Sequence, residues 1–236
     1  MGLFSKKSLV VRQLDYSRPF VVINLKTYKE SQGRNAVRLA QAAERVGEKY
    51  HINMIIAVQA IDLKEVASQV KIPVYAQHAD PVVVGKSTGG IVPEQLLDIN
   101  VHGTLLNHSE KKVPIKDLQN TLLRLKELDI KNIVCVANNI EAKKVSSFKI
   151  VKPDFIAIEP PELIGGDISI SSSKPEVIEK AVSACSGINV LAGAGIKDNM
   201  DVKTALRLGC KGVLLSSHYV RSINPEQFLT ELVRDI

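Results

Sequence analysis

Eight short apolar runs rich in Val and Ile recur along the chain, with helix-period segments between them. They are Val21–Leu25, Met54–Val58, Val74–His78, Gly103–Asn107, Asn132–Ala137, Phe155–Glu159, Asn189–Ala192 and Gly212–Ser216. Most are too continuous for strands with one wet face, so they read as parallel strands buried on both sides. Parallel neighbours need a crossover after every strand. Eight such units in about 215 residues fit a closed (β/α)8 barrel, whereas an open doubly wound sheet usually has fewer strands. No Pro-, Gly- or Ser-rich linker divides the 236 residues. The reading is a single α/β barrel at residues 19–236, preceded by an extension at 1–18.

The intervening segments carry helix signals. Ile115, Leu118, Leu122 and Leu125 share one face. Ser173 with Glu176 has the spacing of a capping box. Asp198 can cap a helix that Gly209 ends, and Asn224-Pro225 combines a cap with Pro at the first helical position. The segments after the second and third runs are shorter and less defined.

Composition narrows the partners. Lys plus Arg is 31 against 25 for Asp plus Glu, a formal net charge of +6, which favours anionic ligands without choosing among them. Trp is absent and aromatics are 4%, so stacking platforms for single-stranded nucleic acid are not expected. No apolar run approaches a membrane span. Cys135, Cys185 and Cys210 have no CxxC spacing, which excludes a disulfide framework or zinc knuckle and suits the reducing cytoplasm. At the N-terminus, Met1-Gly2 lacks the Ser or Thr at position 6 that myristoylation needs, since Lys6 stands there. Arg12 cuts the apolar run after Lys6-Lys7 too early for a signal peptide. The extension is expected to pack as an edge strand or to stay mobile.

Barrel chemistry sits at the C-terminal ends of the strands. The first run ends Asn24-Leu25-Lys26, and alternation points Asn24 and Lys26 the same way, into the mouth. On its own this also fits a solvated lysine. The fourth ends Asn107-His108-Ser109-Glu110, where His108 can polarise a carbonyl or shuttle a proton, or be a satisfied loop histidine. The sixth ends at Glu159, a candidate base or a loop cap. Pro160-Pro161 and Gly165-Gly166 after it give a lid-like loop one stiff and one flexible end. The seventh and eighth end Ala192-Gly193-Ala194-Gly195 and Ser216-Ser217-His218, small residues that let backbone N–H groups approach a phosphate. Gly85-Lys86-Ser87 is not a P-loop, because Asp80 occupies the first Gly position. His78 and Asp80 lack a third metal ligand, and His51 and His102 read as loop residues.

Taken together, Ile23–Glu30, Ala76–Pro81, Gly103–Glu110 and Ile158–Gly165 resemble the triosephosphate isomerase family in its short archaeal form, in order and at the expected spacings over about residues 19–234. The resemblance implies a TIM barrel that interconverts dihydroxyacetone phosphate and D-glyceraldehyde 3-phosphate through an enediolate. The family is itself the standard worked case of this base–electrophile pair and its closing lid. It implies Glu159 as base, His108 as neutral electrophile, Lys26 and Asn24 as donors to substrate, and Glu110 positioning the site from behind. Backbone groups of Ile164, Gly165, Gly193, Ser216 and Ser217 would hold the phosphate. It implies no metal or organic cofactor, a triose phosphate rather than nucleic acid or membrane as partner, and a homodimer or homotetramer. In the family the loop Ala79–Gly90 docks into a neighbouring subunit. Two places depart from its pattern. The lid runs Ile164-Gly165-Gly166-Asp167 instead of Ile-Gly-Thr-Gly, and His218 replaces a Gly. Asp167 and His218 are candidates to pair on lid closure. A different phosphate-handling barrel enzyme and a non-catalytic phosphometabolite binder are the other readings.

Overall fold

The structure is a computed structural model and describes residues 11–166, 168–185 and 187–236. The readings of Met1-Gly2, Lys6-Lys7 and Asp167 lie outside the described residues.

Eight parallel strands close into one barrel in the order of the sequence: β1 (Phe20–Asn24), β2 (Asn53–Val58), β3 (Val74–Ala76), β4 (Gly103–Leu106), β5 (Lys131–Val136), β6 (Phe155–Ile158), β7 (Asn189–Gly193) and β8 (Gly212–Leu215). The seam is β1 against β8, with Phe20 opposite Gly212. Ten helices surround it: α1 (Arg34–Tyr50), α2 (Leu63–Ala67), α3 (Pro93–Asp98), α4 (Ile115–Glu127), α5 (Asn139–Ser146), α6 (Ile170–Ser173), α7 (Pro175–Ala184), α8 (Asn199–Arg207), α9 (Ser217–Val220) and α10 (Pro225–Leu232) among the described residues.

The strands separate two apolar clusters. The larger lies between sheet and helices and takes one side chain of each pair, such as Val21, Ile23, Met54, Ile56, Ile156 and Ile158. The alternate side chains fill the barrel: Phe20 and Val22, Ile55 and Ala57, Tyr75, Leu105, Ile133 and Cys135, Phe155 and Ala157, Leu191, Leu214. Both faces are dry, which is why the runs are apolar without alternation. One step further along the inward set come Asn24, Asn107, Glu159, Gly193 and Ser216. The interior therefore changes from hydrocarbon to polar at the strands' C-terminal ends.

Caps largely follow the sequence. Asp198 accepts from the Asp201 N–H, and Asn224 from the Gln227 N–H with Pro225 beginning α10. The expected Ser173–Glu176 box does not form. Lys174 precedes α7 without a side-chain cap, and the Ser173 hydroxyl instead donates to the Ser169 carbonyl at 2.7 Å. The short helix α6, capped by Ser169, has claimed that serine. On α4, Leu118, Leu122 and Leu125 are buried, while Ile115 in the first turn stays exposed.

Residues 11–18 form a strap across the N-terminal end of the barrel, and none of them is in a strand. The Arg12 N–H donates to Lys71 O at 2.8 Å, and the Arg12 guanidinium reaches Glu48 at 3.1 Å. The Asp15 N–H donates to Asn53 Oδ1 at 2.9 Å, and Asn53 Nδ2 returns a bond to Asp15 O at 2.7 Å. Leu14 packs on the interior cluster. The Tyr16 ring lies 5.4 Å from Phe20 and 6.0 Å from Phe155, which meet edge to face at 4.9 Å.

Candidate active site at the strand exits

The polar end of the barrel gathers the candidate residues into one cleft. A cavity of about 230 Å³ is bordered by Asn24, Lys26, Gln77, His108 and Glu110, among others. A narrower pocket beside it is bordered by Lys26, Glu159, Ile164, Gly165, Ala194, Gly195, Ser216, Ser217 and His218, among others. Lys26 borders both, so it stands between the two halves.

Backbone conformation aims these groups. Strand β1 ends at Asn24, so simple alternation does not carry on to Lys26. Lys26 instead adopts φ 49°, and its N–H is caught by Asn24 Oδ1 at 3.0 Å. The turn directs its side chain inward, where it is 11% exposed and donates to Glu110 Oε1 at 2.6 Å. Gln77 Nε2 holds the Lys26 carbonyl from β3's exit at 3.0 Å. At β4, Asn107 adopts φ 58° and its amide bridges the Cys135 carbonyl at 2.9 Å and the Val113 N–H at 3.3 Å. Left-handed backbone costs a non-Gly residue about 1–2 kcal/mol. Here side-chain hydrogen bonds to main chain offset it, and strain of this kind gathers at functional sites.

His108 is 6% exposed. Its Nδ1 accepts the Glu110 N–H at 3.2 Å, which leaves Nε2 to carry the single ring proton of a neutral imidazole. That Nε2 lies 3.8 Å from Glu159 Oε2. Glu159 is 4% exposed, and its Oε2 is shut from solvent with no hydrogen-bond partner. A buried acceptor without a partner is costly, so its capacity is open for a substrate proton. Beneath it, the buried Cys135 thiol is held well above its ordinary pKa, first by burial and then by the Glu159 carboxylate to which it hydrogen-bonds. Cys135 was not among the candidate residues. Its inward parity on β5, shared with Ile133, was the available signal.

Gly193 makes this placement of Glu159 possible, because a Cβ there would run into the Glu159 side chain. The pocket wall is formed one and two residues on, by Ala194 at φ 74° and Gly195 at φ 71°. Ser216 Oγ is also enclosed without a partner. Glu110 is 56% exposed at the side chain and meets both Lys26 and the back of His108. The dismissed pair His78–Asp80 is joined at 2.9 Å, and Asp80 also accepts the Ile91 N–H at 2.7 Å. Among the described residues, no three His, Cys, Asp or Glu side chains are grouped to hold a metal, and no helix is long and apolar enough to cross a membrane.

Comparison with known proteins places the whole barrel in one family. The chain matches the family model described as triosephosphate isomerase over residues 19–234. It is 43% identical over 223 residues to the triosephosphate isomerase of Methanothermus fervidus, covering 93% of this chain and 99% of that one. The Methanocaldococcus jannaschii protein of the same name is 44% identical over 220 residues, 92% and 99% of the two chains. That of Saccharolobus solfataricus is 39% identical over 225 residues, 92% and 98%.

Proposed function

The chain belongs to the triosephosphate isomerase family, and we propose that it interconverts dihydroxyacetone phosphate and D-glyceraldehyde 3-phosphate by proton transfer through an enediolate. One observation carries the chemistry: an unpartnered Glu159 carboxylate oxygen 3.8 Å from the protonated nitrogen of a neutral His108, in a cleft shared with Lys26. Glu159 takes the proton from the carbon beside the carbonyl and returns it to the neighbouring carbon. A positioned base contributes about 10²–10⁴-fold. The His108 Nε2–H donates to the carbonyl oxygen as charge grows on it, and donors fixed in a dry site need no rearrangement to do so. Lys26, held by Glu110, supplies positive charge between the reacting carbons and the phosphate, and Asn24 adds a hydrogen bond. Backbone groups of Ile164, Gly165, Gly193, Ser216 and Ser217 are the proposed phosphate contacts. No metal or organic cofactor enters the reaction.

The same reading makes the protein a cytoplasmic enzyme of glycolysis and gluconeogenesis and a homodimer or homotetramer, with residues 1–18 an extension to the barrel domain 19–236. Val83 and Val84, at 58% and 66% exposure, form an apolar tip on the loop after β3 that a neighbouring subunit would cover. A coupled assay in both directions on purified protein tests the activity. Turnover of other sugar phosphates but not trioses would reassign the barrel, and binding without turnover would make it a carrier. Light scattering at micromolar concentration tests the assembly, and a mass near 25.8 kDa would refute it.

A further inference from the structure

We infer that Asp201 is a positioning residue that locks the rear of the lid to the loop walling the phosphate pocket. The inference rests on the isomerase reading and adds a residue to it. Asp201 lies in the first turn of α8 and touches the lid's rear segment directly. Its side chain is 5% exposed. Oδ1 accepts from the Ser169 hydroxyl and from the Ser171 hydroxyl at 3.1 Å, both in the segment that ends the lid. Oδ2 accepts from the Lys197 N–H and from Lys197 Nζ, each at 3.2 Å. Lys197 closes the loop that begins Ala194-Gly195-Ile196, the wall of the pocket.

Two further contacts join the same pair of segments. The Ile170 N–H donates to the Ala194 carbonyl at 3.2 Å. Gly195 lies so close to the Ile168 carbonyl that any Cβ would collide with it. A buried carboxylate is tolerated only where its lone pairs are filled. This one is filled from two loops at once, and neither loop supplies enough donors alone. Helix capping does not account for it, because Asp198 already caps α8.

A lid can shelter the enediolate only if its rear end keeps register with the pocket that grips phosphate. When the grip loosens, the enediolate has a second exit. Its C–O bond to the phosphate group breaks, and phosphate leaves with the bonding pair. The remaining enol takes a proton on its terminal carbon to give methylglyoxal, without oxidant or reductant. Inorganic phosphate released per isomerisation therefore reports lid register directly, and a loss of helix stability alone does not move it.

The experiment measures kcat, KM and phosphate release per turnover for the full chain, Asp201→Ala and Ser171→Ala, with thermal melts alongside. Ser171→Ala leaves the Asp201–Lys197 contacts and both helix caps in place. We expect Asp201→Ala to raise KM and phosphate release per turnover, each by about 10-fold, the scale of losing a charge-assisted hydrogen bond. Ser171→Ala moves both in the same direction by about 2–3-fold, at the low end for a single hydrogen bond because the carboxylate keeps its Ser169 and Lys197 donors. A lower melting temperature with KM and phosphate release unchanged overturns the inference. If Asp201→Ala does not fold, an unchanged phosphate ratio in Ser171→Ala overturns it alone. An unmodified chain inactive on triose phosphates refutes the isomerase reading and this inference with it.

Discussion

The two ends of this barrel are made by the same strands and obey opposite rules. At the N-terminal end, Phe20, Phe155 and Tyr75 fill the interior, and the strap lays Leu14 and Tyr16 over them. At the C-terminal end, past the last apolar inward side chains, the inward positions hold Asn24, Asn107, Glu159 and Ser216, and Glu159 and Ser216 carry polar atoms without protein partners. The floor is apolar packing in which the Tyr75 hydroxyl is enclosed without a partner, whereas the mouth is polar and opens onto the cleft. Stability and activity should therefore separate along the barrel axis.

The sharpest test is Glu159→Gln. It keeps the volume beside Gly193 and removes the base, so turnover should fall about 10²–10⁴-fold while the melting temperature changes little. Steady-state kinetics and a melt on the same preparation check this, and near-normal turnover would break the assignment. The reciprocal change is Phe155→Ala. It opens the floor where Phe20 and Tyr16 meet, and should cost about 3–5 kcal/mol in urea unfolding. The protein that stays folded should keep nearly full kcat. If kcat collapses in step with stability, the two ends are not separable.

Removing residues 1–17 acts at the floor more gently. It exposes apolar surface under Leu14 and Tyr16 and should lower stability by about 2 kcal/mol, with KM and kcat unchanged. A change in KM would mean that the strap reaches the mouth. The smallest expected effect is His218→Gly, at the edge of the phosphate pocket. Turnover should persist while KM rises about 2- to 10-fold as a donor at the pocket edge is lost, and an unchanged KM in steady-state kinetics would show that His218 only shapes the turn.

Much of this division was legible beforehand. Runs dry on both faces announced parallel strands, and counting eight of them announced closure. Glu159 and His108, which the structure brings to 3.8 Å of each other, stood out as candidates because a polar residue ending an apolar strand is conspicuous. Lys26 was found for an incomplete reason: alternation stops at Asn24, and a left-handed turn does the aiming, which no periodicity encodes. The Ser173–Glu176 box failed because a competing cap at Ser169 lies four residues earlier, and local spacing cannot rank two serines in one tract. Cys135 and Asp201 act through partners on other strands and loops. Their roles depend on contacts 24 and 32 residues distant in sequence, Cys135 with Glu159 and Asp201 with Ser169.

The β1–β8 seam has a consequence for how the chain is made. Strand β1 pairs on one side with β2, synthesised soon after it, and on the other with β8, which ends at Leu215. During synthesis the second edge of β1 stays open until nearly the whole chain has left the ribosome, and an open strand edge invites pairing with other chains. The strap contacts Glu48, Asn53 and Lys71, all of which emerge early. It can hold the first three strands together as a nascent unit while β1 waits for its last partner.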